Sequence, residues 1–167
     1  MKEFIIPFFG LKEGIHKFKF NIDRSFFEAF ESSLIEDAEI EIKLELEKTS
    51  SMLVLDFKAK GKTAVPCDRC GDDFTLPIKA KERIFVKFGD ETYDQTDDIL
   101  VLSHETHEID VSHLIYEFLV LSLPNKRVHT KKSDCNQEAI ERLEQFKIKE
   151  EEIKTTDPRW DALKKLK

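Results

Sequence analysis

The stretch Ala38-Glu39-Ile40-Glu41-Ile42-Lys43-Leu44-Glu45-Leu46-Glu47 decides the fold. Apolar and charged residues alternate strictly, so one face is dry and the other wet, the signature of a β-strand with a half-buried surface. Lys48 to Ser51 reads as a turn, and Leu53, Leu55, Phe57 and Ala59 then alternate back. An antiparallel hairpin follows directly. Downstream, Leu76, Ile78, Ala80, Ile84, Val86 and Phe88 alternate with Lys79, Lys81, Arg83 and Lys87, which predicts another long strand. Pro77 cannot donate to a sheet ladder, so the start of this strand is expected at an edge.

Working outward, residues 4–9 and 15–20 are short apolar runs that read as two strands around a turn, broken at Gly10 and Gly14. Asp23 is placed to cap a short helix over Arg24 to Ser32, with Phe26, Phe27 and Phe30 on one face. Gly89 to Asp98 is acidic and polar, an expected exposed loop, and Ile99 to Leu102 is a short strand. Asp110 then caps a helix that carries Val111, Leu114, Ile115, Phe118 and Leu121 or Ser122 at helical spacing, and Pro124 ends it. A helix is expected from Asn136 to about Phe146. The fold class is α+β: a twisted antiparallel sheet packed by helices, with a C-terminal helical tail. A single domain is expected over 1–146. Residues 147–167 read as a charged linker and a short helix opened by Asp157-Pro158.

With 167 residues the chain is long enough to bury a core without disulfides. Charged residues reach 37%, so that core lies under a heavily charged surface, and the 14 phenylalanines supply much of its volume. Against 27 Lys and Arg stand 34 Asp and Glu, a net charge of −7. An acidic chain repels phosphate backbones at long range, which argues against extended non-specific nucleic-acid binding and leaves room only for local basic patches. The N-terminal apolar run is too short for a signal sequence, and no stretch approaches the ~18 apolar residues of a membrane span. Three cysteines, an odd count, point to a reducing compartment, so a cytoplasmic location is expected.

Cys67-Asp68-Arg69-Cys70-Gly71 sits between two strand patterns. Two thiolates at this spacing grip one metal from a tight turn, and the glycine lets the backbone bend toward the sulfurs, giving half of a tetrahedral zinc site. His129 and Cys135 are the pair that best fits the other half. Two other readings stand beside a Cys67, Cys70, His129, Cys135 site with structural Zn2+. One is a redox dithiol, disfavoured because Asp72 and Asp73 should raise the thiol pKa values. The other is a turn that binds nothing. His104 and His107 lack a third ligand and read as solvated. Carboxylates lie on solvated faces, and there is no Gly-rich phosphate loop or nucleophile elbow, so no catalytic constellation is seen and no enzyme or small-molecule substrate is expected. Lys126, Arg127, Lys131 and Lys132 form a basic loop in an acidic chain, either a phosphate contact or merely an exposed loop.

Several of these features occur in an order that resembles a known family. Val65-Pro66-Cys67-Asp68-Arg69-Cys70 precedes a long strand and an acidic loop. Ile109-Asp110-Val111-Ser112 leads into a helix ending in Leu123-Pro124. The chain closes with Asp157-Pro158-Arg159-Trp160-Asp161-Ala162-Leu163. From about residue 38 onward the chain is similar to the YceD family of large ribosomal RNA subunit accumulation proteins. The resemblance implies a non-enzymatic role in ribosome biogenesis, as a binding module for the large-subunit ribosomal RNA precursor or a large-subunit ribosomal protein. Many family members carry further cysteines after the Leu-Pro element, where this chain has His129 and Cys135. An alternative reading is an acidic adaptor that docks a basic ribosomal protein through a tail containing Arg159, Trp160 and Leu163. A thiol- or metal-dependent enzyme is the remaining alternative. A monomer is expected, without membrane contact.

Overall fold

A computed structural model describes residues 2–30, 33, 35, 37–89 and 99–146. The alternating stretch becomes the second strand of a five-stranded sheet. Its strands are β2 (Gly14–Ile22), β3 (Asp37–Lys48), β4 (Met52–Pro66), β5 (Asp73–Phe88) and β6 (Ile99–Leu102), lying in that order. The register explains the pattern: Ile42 faces Ala59, Leu44 faces Phe57 and Leu46 faces Leu55. All six are buried, so these three apolar positions of one strand each meet an apolar position of the next.

The hairpin runs further than the sequence suggests. β4 continues through Gly61, Lys62 and Thr63 to Pro66, which pairs with Asp73. Gly61 is not a turn residue. It faces Ile40, and a Cβ there would lie 2.1 Å from the Glu39 carbonyl oxygen, so the close approach of two backbones requires glycine. Thr63 is buried among the apolar positions, and its hydroxyl donates to the Asp37 carbonyl at 2.8 Å. Pro77 faces Lys62, and β6 pairs only with Phe85 to Phe88, so among the described residues the proline does fall where the outer side of β5 has no strand partner.

Three expectations are corrected. The run at residues 4–9 does not form a hairpin with β2. Instead β1 (Ile5–Ile6) pairs with β7 (Ile109–Asp110) in a separate two-stranded sheet. Pro7 ends that pairing, and Lys48 holds the following segment by donating to the carbonyls of Phe8, Phe9 and Leu11 at 2.8–3.1 Å. Secondly, β6 runs parallel to β5, so the sheet is antiparallel except at one edge. Thirdly, α1 (Arg24–Phe27) is a single turn. Asp23 caps it as expected, accepting the Ser25 N–H at 2.9 Å.

Helix α2 (Ser112–Leu121) covers the inner face of the sheet with Ile115, Phe118 and Leu119, and Phe118 lies 6.2 Å from the Phe57 ring. Of the two candidates for the last position of its apolar face, Leu121 is exposed and Ser122 half-buried. Phenylalanines do fill the core: Phe4 stacks on Phe20 at 5.2 Å and meets Phe26 at 5.0 Å. Each such ring stabilises the fold by about 1.5–3 kcal/mol on burial. The acidic segment at 90–98, Ser32 and all of residues 147–167 lie outside the described residues.

Candidate metal centre

Two backbone facts build the turn at the tip of the β4–β5 hairpin. Gly71 has φ +83°, the left-handed region that glycine enters without strain. The Cys67 N–H donates to the Asp72 carbonyl at 3.0 Å and the Gly71 N–H to the Cys67 carbonyl at 2.8 Å. The strand pairing thus closes directly beneath the knuckle. This folding turns amides toward sulfur: the Arg69 N–H lies 3.4 Å from the Cys67 Sγ.

The second half arrives from the segment after α2. Asp68 clamps it, accepting the Arg127 N–H at 2.6 Å while its own N–H donates to the Arg127 carbonyl at 2.7 Å. The Arg127 guanidinium adds an ion pair to the same carboxylate at 3.3 Å. Two positions on, the His129 ring packs on Phe74 at 4.9 Å and turns Nδ1 toward the sulfurs. Cys135 closes the short 3-10 turn Lys132–Asp134, and Asn136 then caps α3 (Gln137–Phe146) by accepting the Ala139 N–H at 3.2 Å.

Cys67, Cys70, His129 and Cys135 converge, their ligand atoms all within 4.8 Å of one another. The His129 Nδ1 lies 3.7 Å from Cys70 Sγ and 3.6 Å from Cys135 Sγ. Bonds of about 2.3 Å to sulfur and 2.0–2.1 Å to nitrogen in a tetrahedron give S···N edges of about 3.6 Å. The four side chains are therefore close enough to hold one metal ion, and three thiols with one imidazole are compatible with zinc. The three cysteines are free of disulfides, and Cys67 and Cys135 are buried.

The electrostatics departs from the sequence reading. Burial pushes the Cys67 thiol up, but backbone hydrogen bonds from His129, Arg69 and Cys70, joined by the His129 ring, outweigh it and lower the thiol to about 6. The neighbouring carboxylates do not keep it high, because the turn points amides rather than Asp72 and Asp73 at the sulfur. Cys135 moves the other way. Burial raises it, the Arg69 guanidinium opposes that, and the adjacent Cys70 sulfur adds to the rise. A depressed thiol is what an enzyme nucleophile needs, but Cys67 is only 2% exposed, and reactive cysteines are accessible ones.

The remaining sequence candidates distribute as follows. Lys126, Lys131 and Lys132 are exposed beside the cluster, whereas Arg127 is engaged with Asp68. His107 stacks on Phe9 at 4.5 Å and His104 lies 6.3 Å from the Phe88 ring; among the described residues neither joins a group that could hold a metal. Arg159, Trp160 and Leu163 lie outside the described residues. Sequence reasoning missed two neighbours of the site. Asp68 was hidden because its partner is 59 positions away. A groove of about 580 Å³ between the knuckle and α3, edged by the exposed Leu143 and Phe146, had no signal beyond the helix's own amphipathicity. Among the described residues no helix is long and apolar enough to cross a membrane.

No curated protein and no solved structure matches this chain. A family model does match, that of the large ribosomal RNA subunit accumulation protein YceD, over residues 55–167. The match takes in the knuckle, the clamped loop and α2, more than two thirds of the chain. The chain therefore belongs to the YceD family of large ribosomal RNA subunit accumulation proteins.

Proposed function

We propose that this protein is a non-enzymatic ribosome-biogenesis factor that supports accumulation of large-subunit ribosomal RNA by binding the precursor particle. The observation that carries the reading is the convergence of Cys67, Cys70, His129 and Cys135 at the end of the hairpin, within a chain of this family. Zinc held by these four would have no open coordination position, as befits a structural rather than a catalytic site. Its role would be to fasten the 126–135 segment to the sheet. Lys126, Lys131 and Lys132 would then present ammonium groups to phosphates from a fixed base, while Arg127 serves chiefly to hold the loop through Asp68.

A second reading has the protein as an adaptor for a basic ribosomal protein. Net charge −7 favours it, and so do the exposed Leu143 and Phe146 beside the knuckle groove. In that case a tail containing Arg159, Trp160 and Leu163 would extend the apolar contact. Sedimentation of ribosomal particles from cells lacking the protein tests both versions. Depletion of large subunits, with the wild-type protein riding on a precursor particle, is the expected result. Normal subunits and a protein found only at the top of the gradient would refute the role in assembly.

A further inference from the structure

The outer face of the sheet carries an arrangement that only the strand register reveals. Lys58 faces Lys81, Lys60 faces Lys79, and Lys43 faces Lys58 on the other side. All five are exposed. Directly opposed side chains start about 4.5–5.5 Å apart at Cβ, and like charges in that position oppose folding. Elsewhere this face neutralises itself across the strands, with Lys62 on Glu39 at 2.9 Å and Arg83 on Asp56 at 2.7 Å. Lys58 reaches Glu45 at 3.1 Å and Lys43 reaches Glu41 at 3.0 Å. Among the described residues Lys60, Lys79 and Lys81 form no ion pair. The five lysines border a groove of about 420 Å³ with a single carboxylate, Glu41. That carboxyl is held below its ordinary range first by Lys43 and then, at longer range, by Lys19 and Lys60.

We infer that this lysine face is a binding surface for the phosphate backbone of RNA, distinct from the basic loop at the metal centre. The inference rests on the reading of the protein as an RNA-binding assembly factor. A chain with an excess of carboxylates gathers its cations where they repel one another, and a polyanion relieves that repulsion. Lysine suits the task as a flexible point charge. The exposed large apolar side chains Phe9, Ile15, Leu121, Leu143 and Phe146 do not line the groove. A protein partner would call for aromatic or apolar anchors there, whereas phosphate contacts require cations alone. Lysines at i and i+2 sit about 7 Å apart along a strand, within reach of successive phosphates. The same hairpin ends in the knuckle, about 20 Å beyond Lys60, so one strand of RNA can touch both surfaces.

The test is a fluorescence-anisotropy titration of fluorescein-labelled oligouridylate with the full chain across a range of salt. Lys79→Gln/Lys81→Gln, whose cross-strand neighbours are Lys60 and Lys58, is compared with Lys126→Gln/Lys131→Gln, and with Lys2→Gln/Lys12→Gln as a control of equal net charge. The sheet pair is expected to weaken binding about tenfold, and to lower the slope of log affinity against log salt by about 1.5, while the control changes neither. Its melting temperature should equal or exceed that of wild type, because a repulsion has been removed. An unchanged affinity and slope in the sheet pair, with loss in the loop pair, would overturn this inference and leave the RNA reading standing. Failure of the wild type to bind would overturn both. A lowered melting temperature would show that the lysines serve the fold. Binding of polyglutamate that the sheet substitutions abolish, with RNA binding intact, would assign the surface to an acidic protein segment instead.

Discussion

The Asp68 carboxylate receives the Arg127 backbone N–H at 2.6 Å, joining positions 59 residues apart. With the reciprocal Asp68 N–H bond to the Arg127 carbonyl and the ion pair between the two side chains, it holds the segment that follows α2 against the hairpin tip, before any metal is considered. Asp68→Ala should therefore loosen the 126–135 segment even in metal-loaded protein. Hydrogen bonds to charged groups contribute about 1.5–3 kcal/mol, so a loss near the lower figure is expected for this half-exposed site. Hydrogen exchange at Arg127 should accelerate, with the β3–β4 strands unaffected.

The cluster predicts bound metal. Protein purified without chelator should carry one zinc per chain by elemental analysis, and Cys70→Ser or His129→Ala should carry far less. Because metal binds the folded chain preferentially, it should stabilise by about 2.7 kcal/mol at a hundredfold excess over its dissociation constant. Chelation should thus lower the melting temperature of the wild type and leave that of Cys70→Ser nearly unmoved.

Gly61 faces Ile40 where the two strands nearly touch, and a Cβ would meet the Glu39 carbonyl at 2.1 Å. Gly61→Ala forces the strands apart and should destabilise by about 1–3 kcal/mol, as overpacking does. Urea unfolding measures it. Gly10→Ala, at a site with open space, should cost little by comparison.

How much of this was legible in sequence follows from the range of each interaction. The β3 alternation and the Asp23 cap are local, and they stand in the structure as read. The role of Gly61 could not be read locally, because its cause is the Glu39 carbonyl more than twenty residues away. The parallel β6 edge left no mark, since a four-residue apolar run looks the same in either direction. Cys67 and Cys70 announced themselves, and His129 with Cys135 followed by elimination. Their geometry depended on the Asp68 clamp, which no spacing encodes. The lysine face needed the β4–β5 register, because neither strand alone shows that Lys60 and Lys79 stand opposite one another.

Asp110, expected to cap α2, stands two positions before it, with Val111 at the cap itself, yet its carboxylate accepts the Ser112 N–H at 2.8 Å. Burial raises its carboxyl, but the Ser112 hydrogen bonds outweigh that and hold it below its ordinary 3.8. A depressed folded-state value means the stabilisation is fully present above pH about 4 and is lost as pH falls through the folded value. Asp110→Ala should cost about 1 kcal/mol at neutral pH, with the difference from wild type shrinking in acid. Urea midpoints at neutral and acid pH would show this.

The most direct test of the account is the ratio of large- to small-subunit ribosomal RNA in cells whose only copy of the protein is Cys70→Ser, alongside wild-type and deleted cells, with the level of the variant protein matched. The account predicts a lowered ratio in the deleted cells and a ratio close to it in the variant, because the fastened loop is what meets the precursor. A wild-type ratio in cells carrying the variant would contradict it, separating the metal centre from the family's role.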